Sequence, residues 1–296
     1  MSKRLEVLKT YKLYIGGKFV RSESGRYYNP TNAKGENLGN ICLASRKDFR
    51  NSVVVARKAQ ASWANRSAYN VGQILYRIAE NLEGRKQEMT NIVVKEEGVS
   101  SQIASNLIEQ CIDRLIYFAG WSDKFQQLYS SVNPVASSHF NFSIVEPTGV
   151  VGVLCAKDSK LISLISSIAA LICGGNSIVI LADEEAPLSA IVFAEVLQHS
   201  DVPAGLVNIL TGKIDELYPH FASHMDVNAL LTIDLSKSIR KEIDETASVN
   251  VKRVLHQESK TFESNDSESP QTIRDFLEVK TTWHPIEQIG GAQAGY

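Results

Sequence analysis

Val150-Val-Gly-Val-Leu-Cys155, Leu161-Ile-Ser-Leu-Ile-Ser-Ser-Ile-Ala-Ala-Leu-Ile-Cys173 and Gly174-Gly-Asn-Ser-Ile-Val-Ile-Leu181 follow one another closely in this chain. The first is a β-branched run that reads as a strand. In the second, Leu161, Leu164, Ile165, Ile168 and Ile172 recur at helical spacing. Gly174-Gly175-Asn176 ends that helix, and Ile178 to Leu181 is the next strand. The same alternation continues toward the C-terminus. Pro187 opens a helix where its missing N–H costs nothing, and Ile191, Val192 and Val196 give that helix an apolar side. Val207 to Leu210 is a third strand, Leu217 to Ala222 a short helix, and Val227 to Ile233 a fourth strand. A helix over Ser236 to Ala247 and a strand over Val249 to Leu255 complete the series. Strands joined by helical crossovers predict an α/β fold, an open doubly wound sheet of about five parallel strands covered on both faces.

Upstream, Leu13-Tyr-Ile-Gly-Gly-Lys-Phe-Val20 reads as a hairpin around a Gly-Gly turn. Asp48 is a candidate N-cap for a helix carrying Val55, Ala59 and Trp63. Further helical pattern runs through Ile74, Ile78, Leu82, Ile112, Leu115 and Ile116, so residues up to about 130 are mainly helical. From Ser138 the period changes to two. Phe140, Phe142 and Ile144 point one way and His139, Asn141 and Ser143 the other, as in a half-buried strand. Leu277, Val279 and Trp283 alternate similarly. Between these regions, Gln257 to Gln271 carries one large apolar residue among charged and polar ones, and reads as an exposed linker.

The remaining bounds come from composition. The chain has 296 residues, 44% hydrophobic and 22% charged, with a formal net charge of −2. That length suits roughly two domains, and the charge argues against a nucleic-acid surface. Met1 to Thr10 lacks the apolar stretch of a secretory signal. The apolar window Leu161 to Leu181 is broken by Cys173-Gly-Gly-Asn176, so no membrane span is expected, and the cytoplasm is the expected compartment. Cys42, Cys111, Cys155 and Cys173 have neither metal-ligand nor disulfide-framework spacing and read as small buried hydrophobes.

Several motifs make the chain resemble the NAD(P)-dependent aldehyde dehydrogenases. Tyr14-Ile-Gly-Gly-Lys-Phe19 with Asn29-Pro30 resembles the family's opening. Glu146-Pro-Thr-Gly-Val-Val-Gly-Val153 resembles the entry into its first cofactor-domain strand, and Cys173 to Leu181 the following turn and strand. Asp201-Val-Pro-Ala-Gly-Leu-Val-Asn-Ile-Leu-Thr-Gly212 and His224-Met-Asp-Val227 resemble later segments, in the correct order.

The resemblance implies a catalytic thiol, an oxyanion-binding Asn, a water-activating Glu and a dinucleotide site. Position by position, this chain departs from all four. No Cys follows Cys173, whereas the family's nucleophile lies well beyond the cofactor domain. Asp158 stands where the oxyanion Asn is expected, after Ala156-Lys157. A carboxylate repels a developing oxyanion, and losing one such donor costs about 2.7–4 kcal/mol of barrier; Asp158 reads instead as a helix N-cap. Gln257 aligns with the base, and Glu258 is one residue away, on the other side of a strand. Leu181 replaces the ribose-binding Lys. The glycine-rich phosphate turn is Thr232-Ile-Asp-Leu-Ser-Lys-Ser-Ile239, where Asp234 is expected to cap the helix itself. Glu184, Cys155, Ala156 and Gly212 are what the resemblance leaves as cofactor-site remnants. It implies no catalytic residue, no metal and no more than weak NAD(P).

The expected organisation is therefore a helical region with the hairpin over 1–137, an arm strand over 138–146, a Rossmann-like region over 147–256, a linker over 257–272 where the family inserts its catalytic domain, and a C-terminal oligomerisation strand over 273–296. The expected function is an inactive aldehyde-dehydrogenase-like subunit, associating with itself or with a full-length aldehyde dehydrogenase. Two alternatives stand beside it. One is an oxidoreductase whose site a partner chain completes. The other is a sensing module binding a nucleotide or metabolite near Lys157 and Asp158, where open α/β sheets take ligands.

Overall fold

The computed structural model describes residues 9–32, 34–156, 161–264 and 267–286. The chain begins with β1 (Thr10–Tyr11), β2 (Leu13–Ile15), β3 (Lys18–Val20), β4 (Tyr27–Tyr28) and β5 (Asn40–Cys42). A helical stretch follows: α1 (Arg46–Ala64), α2 (Ala68–Gly84), α3 (Lys86–Glu97), α4 (Ser101–Trp121) and α5 (Phe125–Tyr129). Then come β6 (Ser131–Asn133), β7 (His139–Pro147), β8 (Val150–Cys155), α6 (Leu161–Cys173), β9 (Ser177–Leu181), α7 (Pro187–Gln198), β10 (Val207–Leu210), α8 (Ile214–Ser223), β11 (Ala229–Ile233), α9 (Lys237–Ala247) and β12 (Arg253–Gln257). The chain closes with α10 (Ser259–Glu263), α11 (Gln271–Arg274) and β13 (Leu277–Pro285).

The main sheet has the order β12-β11-β8-β9-β10-β2-β3. Strands β8 to β12 are parallel, as the alternating pattern predicts. The hairpin β2–β3 joins that sheet antiparallel through Tyr14 opposite Ile209. Side-chain alternation on the strands divides the core in two. Val151, Val153 and Cys155 face α6 and α7, with the helices α2 and α4 behind them. Val150 and Leu154 face Phe49, Val53 and Ala56 of α1 and Leu217 and Phe221 of α8. Gly152 lies on this second side, where an added Cβ would stand 2.7 Å from Leu230 Cδ2 and 2.8 Å from Phe221 Cδ1. Its bareness lets Phe221 lie flat on the sheet.

Helix α6 is buried along its whole length, which explains why its sequence shows so little polar interruption. Its expected cap, Asp158, lies outside the described residues, as does Lys157. Asp48 does not cap α1. Ser45 does, and Asp48 is its reciprocal partner in a capping box. The Asp48 carboxylate also accepts from the Ser22 hydroxyl at 2.7 Å, so it ties the hairpin region to the helix. The last parallel strand starts later than its apolar pattern predicts. Residues 248–250 form a short 310 turn and Val251 is left-handed, with φ 55°. Both Val249 and Val251 are exposed, so their β-branched character marks no strand.

The segment 257–271 is not an exposed linker. Phe262 is 3% exposed and Ile273 just beyond it 1%, both packed into the main core. Arg114 on α4 is buried, and its guanidinium donates to the carbonyls of Phe262 at 3.3 Å and Ser264 at 3.4 Å and pairs with Glu268 at 3.5 Å. A lone Phe in a polar run is enough to anchor the segment when a buried cation gathers its carbonyls.

The arm is a separate sheet of order β13-β7-β6, with β13 and β7 paired antiparallel from Leu277–Pro147 to Pro285–His139. The alternation on β7 is as predicted, but its sides are reversed. Phe140 is 46% exposed, while Asn141 and Ser143 are buried. The buried side joins a polar ladder at Asn141 and Ser143 to the packed Val145. Asn133 Nδ2 donates to Asn141 Oδ1 at 2.6 Å and to Ser143 Oγ at 2.9 Å, and Ser143 Oγ meets Thr281 Oγ1 at 2.8 Å. The apolar row Phe140, Phe142 and Ile144 faces outward.

Candidate cofactor crevice

In an open α/β sheet, ligands bind beyond the carboxyl ends of the strands. At that end, beyond β9 and β10, lies a crevice of about 680 Å³ lined by Tyr28, Asn32, Glu96, Glu97, Asp183, Glu184, Glu185 and Lys213, among others. Helix α7 starts at its floor with Pro187 in the first turn and no side-chain cap of its own. Its free N–H groups are instead taken by Glu96 of α3, which accepts from Leu188 and from Ser189, the latter at 3.1 Å. Glu96 is buried, and burial pushes its carboxyl up to about 7, against the lowering effect of these hydrogen bonds. Asp183 accepts the N–H of Glu185 at 2.9 Å. The Tyr28 hydroxyl is pushed well above its ordinary range, by burial first and then by Glu184, Asp183 and Glu96.

The predicted remnants are only partly brought together. Glu184 lines the crevice, half-buried. Gly212 follows β10, beside the lining residue Lys213. Its hydrogen side faces Ala44 and Leu217 rather than the crevice. Cys155 and Ala156 end β8, and the Ala156 N–H is spent on the Ile233 carbonyl at 3.0 Å. All four cysteines are buried. Burial pushes the Cys111 and Cys155 thiols far above the ordinary range and Cys173 up to about 12. A thiol held there stays protonated at neutral pH and is a poor nucleophile.

Asp234 does not cap α9. Ser236 does, its Oγ accepting from Ile239 N at 3.3 Å. Asp234 is left-handed, φ 56°, and its carboxylate turns to the Ser259 N–H. Leu181 is fully buried in the core on β9. Gln257 ends β12 opposite Ile233, and Glu258, exposed, pairs with Lys260 at 2.6 Å. Among the described residues, no group of three or more His, Cys, Asp or Glu is placed to hold a metal ion. No described helix is long and apolar enough to cross a membrane.

Two features escaped sequence reading. Glu96 lies two residues before a helix-ending glycine, and nothing local marks it as the cap of a helix some ninety residues away. Thr232 and His256 face each other across β11 and β12, with Thr232 Oγ1 2.6 Å from His256 Nδ1 and His256 Nε2 3.1 Å from Asp244. This chain resembles a hydroxyl–imidazole–carboxylate relay. Thr232 is fully buried, however, so the relay acts as a tie between α9 and the edge strand.

Comparison with known proteins agrees with this architecture. The aldehyde dehydrogenase family model matches residues 19–258. DhaS of Bacillus subtilis (strain 168), itself assigned as an aldehyde dehydrogenase, is 32% identical over 260 residues, covering 86% of this chain and 52% of its own length. The mouse cytosolic 10-formyltetrahydrofolate dehydrogenase is 31% identical over 85% of this chain and 28% of its own. An aldehyde dehydrogenase from Bacillus cereus, solved as an NAD+ complex, superposes with a TM-score of 0.80 at 24% identity, over 84% of this chain and 51% of that one. The chain thus spans about half, or less, of the length of the relatives it matches. With the family model covering most of its length and the same sheet at its centre, this chain belongs to the aldehyde dehydrogenase family.

Proposed function

We propose that this chain is a catalytically inactive aldehyde-dehydrogenase-like subunit of the cytoplasm that assembles through its arm, with itself or with a full-length aldehyde dehydrogenase. One observation carries the reading. The chain passes from β12 to β13 through residues 258–276 alone, and that passage is packed on α4 and α6 by Arg114, Phe262 and Ile273. In this position the resemblance calls for a domain bearing the nucleophile. The four cysteines that remain are buried. None has the solvent-accessible, electropositive setting that activates a thiol.

The described residues also do not fit a dinucleotide. A diphosphate needs free N–H groups at a helix N-terminus and a favourable field. Here the first N–H groups of α7 are occupied by Glu96, and one cation, Lys213, faces Glu96, Glu97, Asp183, Glu184 and Glu185. Glu184, Cys155, Ala156 and Gly212 are read as remnants of a site whose phosphate end is lost, leaving NAD(P) binding weak or absent.

The test is NAD(P)H formation by the purified chain with a panel of aldehydes, repeated with each cysteine changed to alanine. No turnover above a boiled control is expected. Turnover abolished by one of those four substitutions overturns the reading.

A further inference from the structure

Helix α8 packs against α1 on the side of the main sheet away from α6 and α7. The Phe49 ring of α1 lies 4.2 Å from Phe221 and 5.6 Å, edge-on, from His224. Beside this contact each helix carries two side chains four residues apart, a spacing that puts them on one face. They are Arg46 and Arg50 on α1, both exposed, and His220 and His224 at the end of α8, both half-buried. Burial is the first cause lowering the pKa of both imidazoles. Arg46 lowers His220 further, and for His224 Asp226 opposes the shift while Lys252 and Arg50 add to it. Neither guanidinium has a hydrogen bond or ion pair among the described residues, whereas the carboxylates Glu23 and Glu216 are taken by Lys47 and Arg26. The cluster therefore carries positive charge with little to match it.

Two histidines at this spacing on a helix also suit a metal ion, but this pair does not offer the lone pairs. The backbone N–H of Asp226 donates to His224 Nδ1 at 3.2 Å. A neutral imidazole with Nδ1 accepting carries its proton on Nε2, so His224 presents a donor. A helix C-terminus ordinarily repels an anion. Here Lys252 Nζ donates to the carbonyls of Phe221, Ala222 and His224 at 3.0, 2.8 and 3.0 Å and covers that end. The field is positive where the helix alone would make it negative. We propose that Arg46, Arg50, His220 and His224 bind a phosphate group, either free phosphate or that of a phosphomonoester. Guanidinium forks from one helix and imidazole N–H groups from the other suit a dianion that accepts on several oxygens. The site shares no lining residue with the crevice at the carboxyl ends of the strands.

The probe is inorganic phosphate, titrated into the full chain at neutral pH and constant ionic strength, with the ring protons of the six histidines followed by NMR. The His220 and His224 signals, assigned through His220→Gln and His224→Gln, are expected to shift and saturate while the others stay in place. Arg46→Gln and Arg50→Gln are each expected to raise the dissociation constant at least about tenfold, the loss of one charge-assisted bond, with the circular dichroism spectrum unchanged. Asp226→Asn keeps the backbone N–H on His224 and removes the opposing charge, so it is expected to lower the constant about two- to fivefold. Glycerol phosphate separates the two sources: tighter binding than phosphate points to a phosphomonoester, equal or weaker binding to free phosphate. Rings that phosphate leaves unmoved overturn the site, as do shifts that chloride reproduces or that persist when both arginines are changed. Zinc ions shifting the same two rings where phosphate does not would make the pair a metal site and overturn it equally.

Discussion

Asp234 holds the backbone N–H of Ser259 with both carboxylate oxygens, at 3.1 and 3.0 Å. The turn after β11 is thus tied to the start of the segment that leads from β12 toward the arm. The Asp234 N–H in turn donates to the Gln257 carbonyl at 3.0 Å, so two bonds of opposite sense close the same gap. Where the family resemblance calls for glycines around a phosphate, this chain has a clip between two of its own segments.

Asp234→Ala removes the acceptor and leaves the left-handed backbone in place. A loss of about 1.5–3 kcal/mol is expected, the range for a hydrogen bond to a charged group. Hydrogen exchange is the measurement: protection of Ser259 to Glu263 falls while that of β11 is retained. Unchanged protection there would mean that the clip holds nothing.

Cofactor titration by calorimetry is expected to give no submicromolar binding of NAD+ or NADP+, since the lining places five carboxylates against Lys213. Submicromolar binding abolished by Glu184→Ala would show a working ribose site and contradict the proposed loss.

Glu96 makes stability depend on pH. Its folded carboxyl titrates near 7 and its ordinary value is 4.5, so between these values the unfolded chain sheds the proton while the folded chain retains it. The contribution is fully present below about pH 4.5 and is lost as pH rises through about 7, by about 3 kcal/mol in all. Chemical denaturation at pH 5 and pH 8 should show this decline. Glu96→Gln, which stays neutral and still offers an acceptor to α7, should flatten it. An equal slope in the variant would place the titration elsewhere.

Arg114 separates local from global stability. Its guanidinium is buried, and burial lowers its pKa despite the Glu268 carboxylate, so holding the charge there is costly. Arg114→Met keeps volume and removes that cost. Global unfolding is expected to move by no more than about 1 kcal/mol. Protease or exchange protection of Phe262 to Ser264 is expected to disappear. If the global midpoint collapses instead, the segment is integral to the core and not merely latched to it.

Gly152→Val tests the packing of α8 on the sheet. The added carbons would meet Leu230 and Phe221 at impossible distances. A loss of about 1–3 kcal/mol or more is expected from overpacking, read as a lowered thermal midpoint.

The parallel sheet was legible because β8, α6 and β9 are buried on every side, so their hydrophobic runs leave little choice of element. The hairpin was legible from Gly16-Gly17, both left-handed at φ 62° and 75°. The arm's orientation was not. Alternation fixes which residues share a face, but most of the buried face of β7 is polar, with Asn141 and Ser143 bonded to Asn133 and Thr281, so hydrophobicity pointed the wrong way. The segment after β12 misled for a related reason. Its order comes from Arg114, which lies about 150 residues earlier, and from one Phe. The crevice was half visible. Glu184, singled out by its place in a motif, lies in the lining, whereas Glu96 acts through space on α7 and no spacing announces it. Asp48 and Asp234 were read as caps, because an Asp before an apolar run is a common cap signal. In both places a serine took the cap, and the carboxylate reached a different partner.

The hairpin β2–β3 completes the main sheet, yet Tyr14 must wait for Ile209. At an elongation rate of roughly 5–20 residues per second, the first strands leave the ribosome about 10–40 seconds before β10 exists to receive them. The arm repeats the delay, since Phe142 waits for Thr282. The hairpin near the start of the chain and β7 in its middle therefore spend their early life with one edge unmatched, and loop closure over such distances is slow. Production of this protein should be governed less by its final stability than by how well the nascent chain is shielded in that interval.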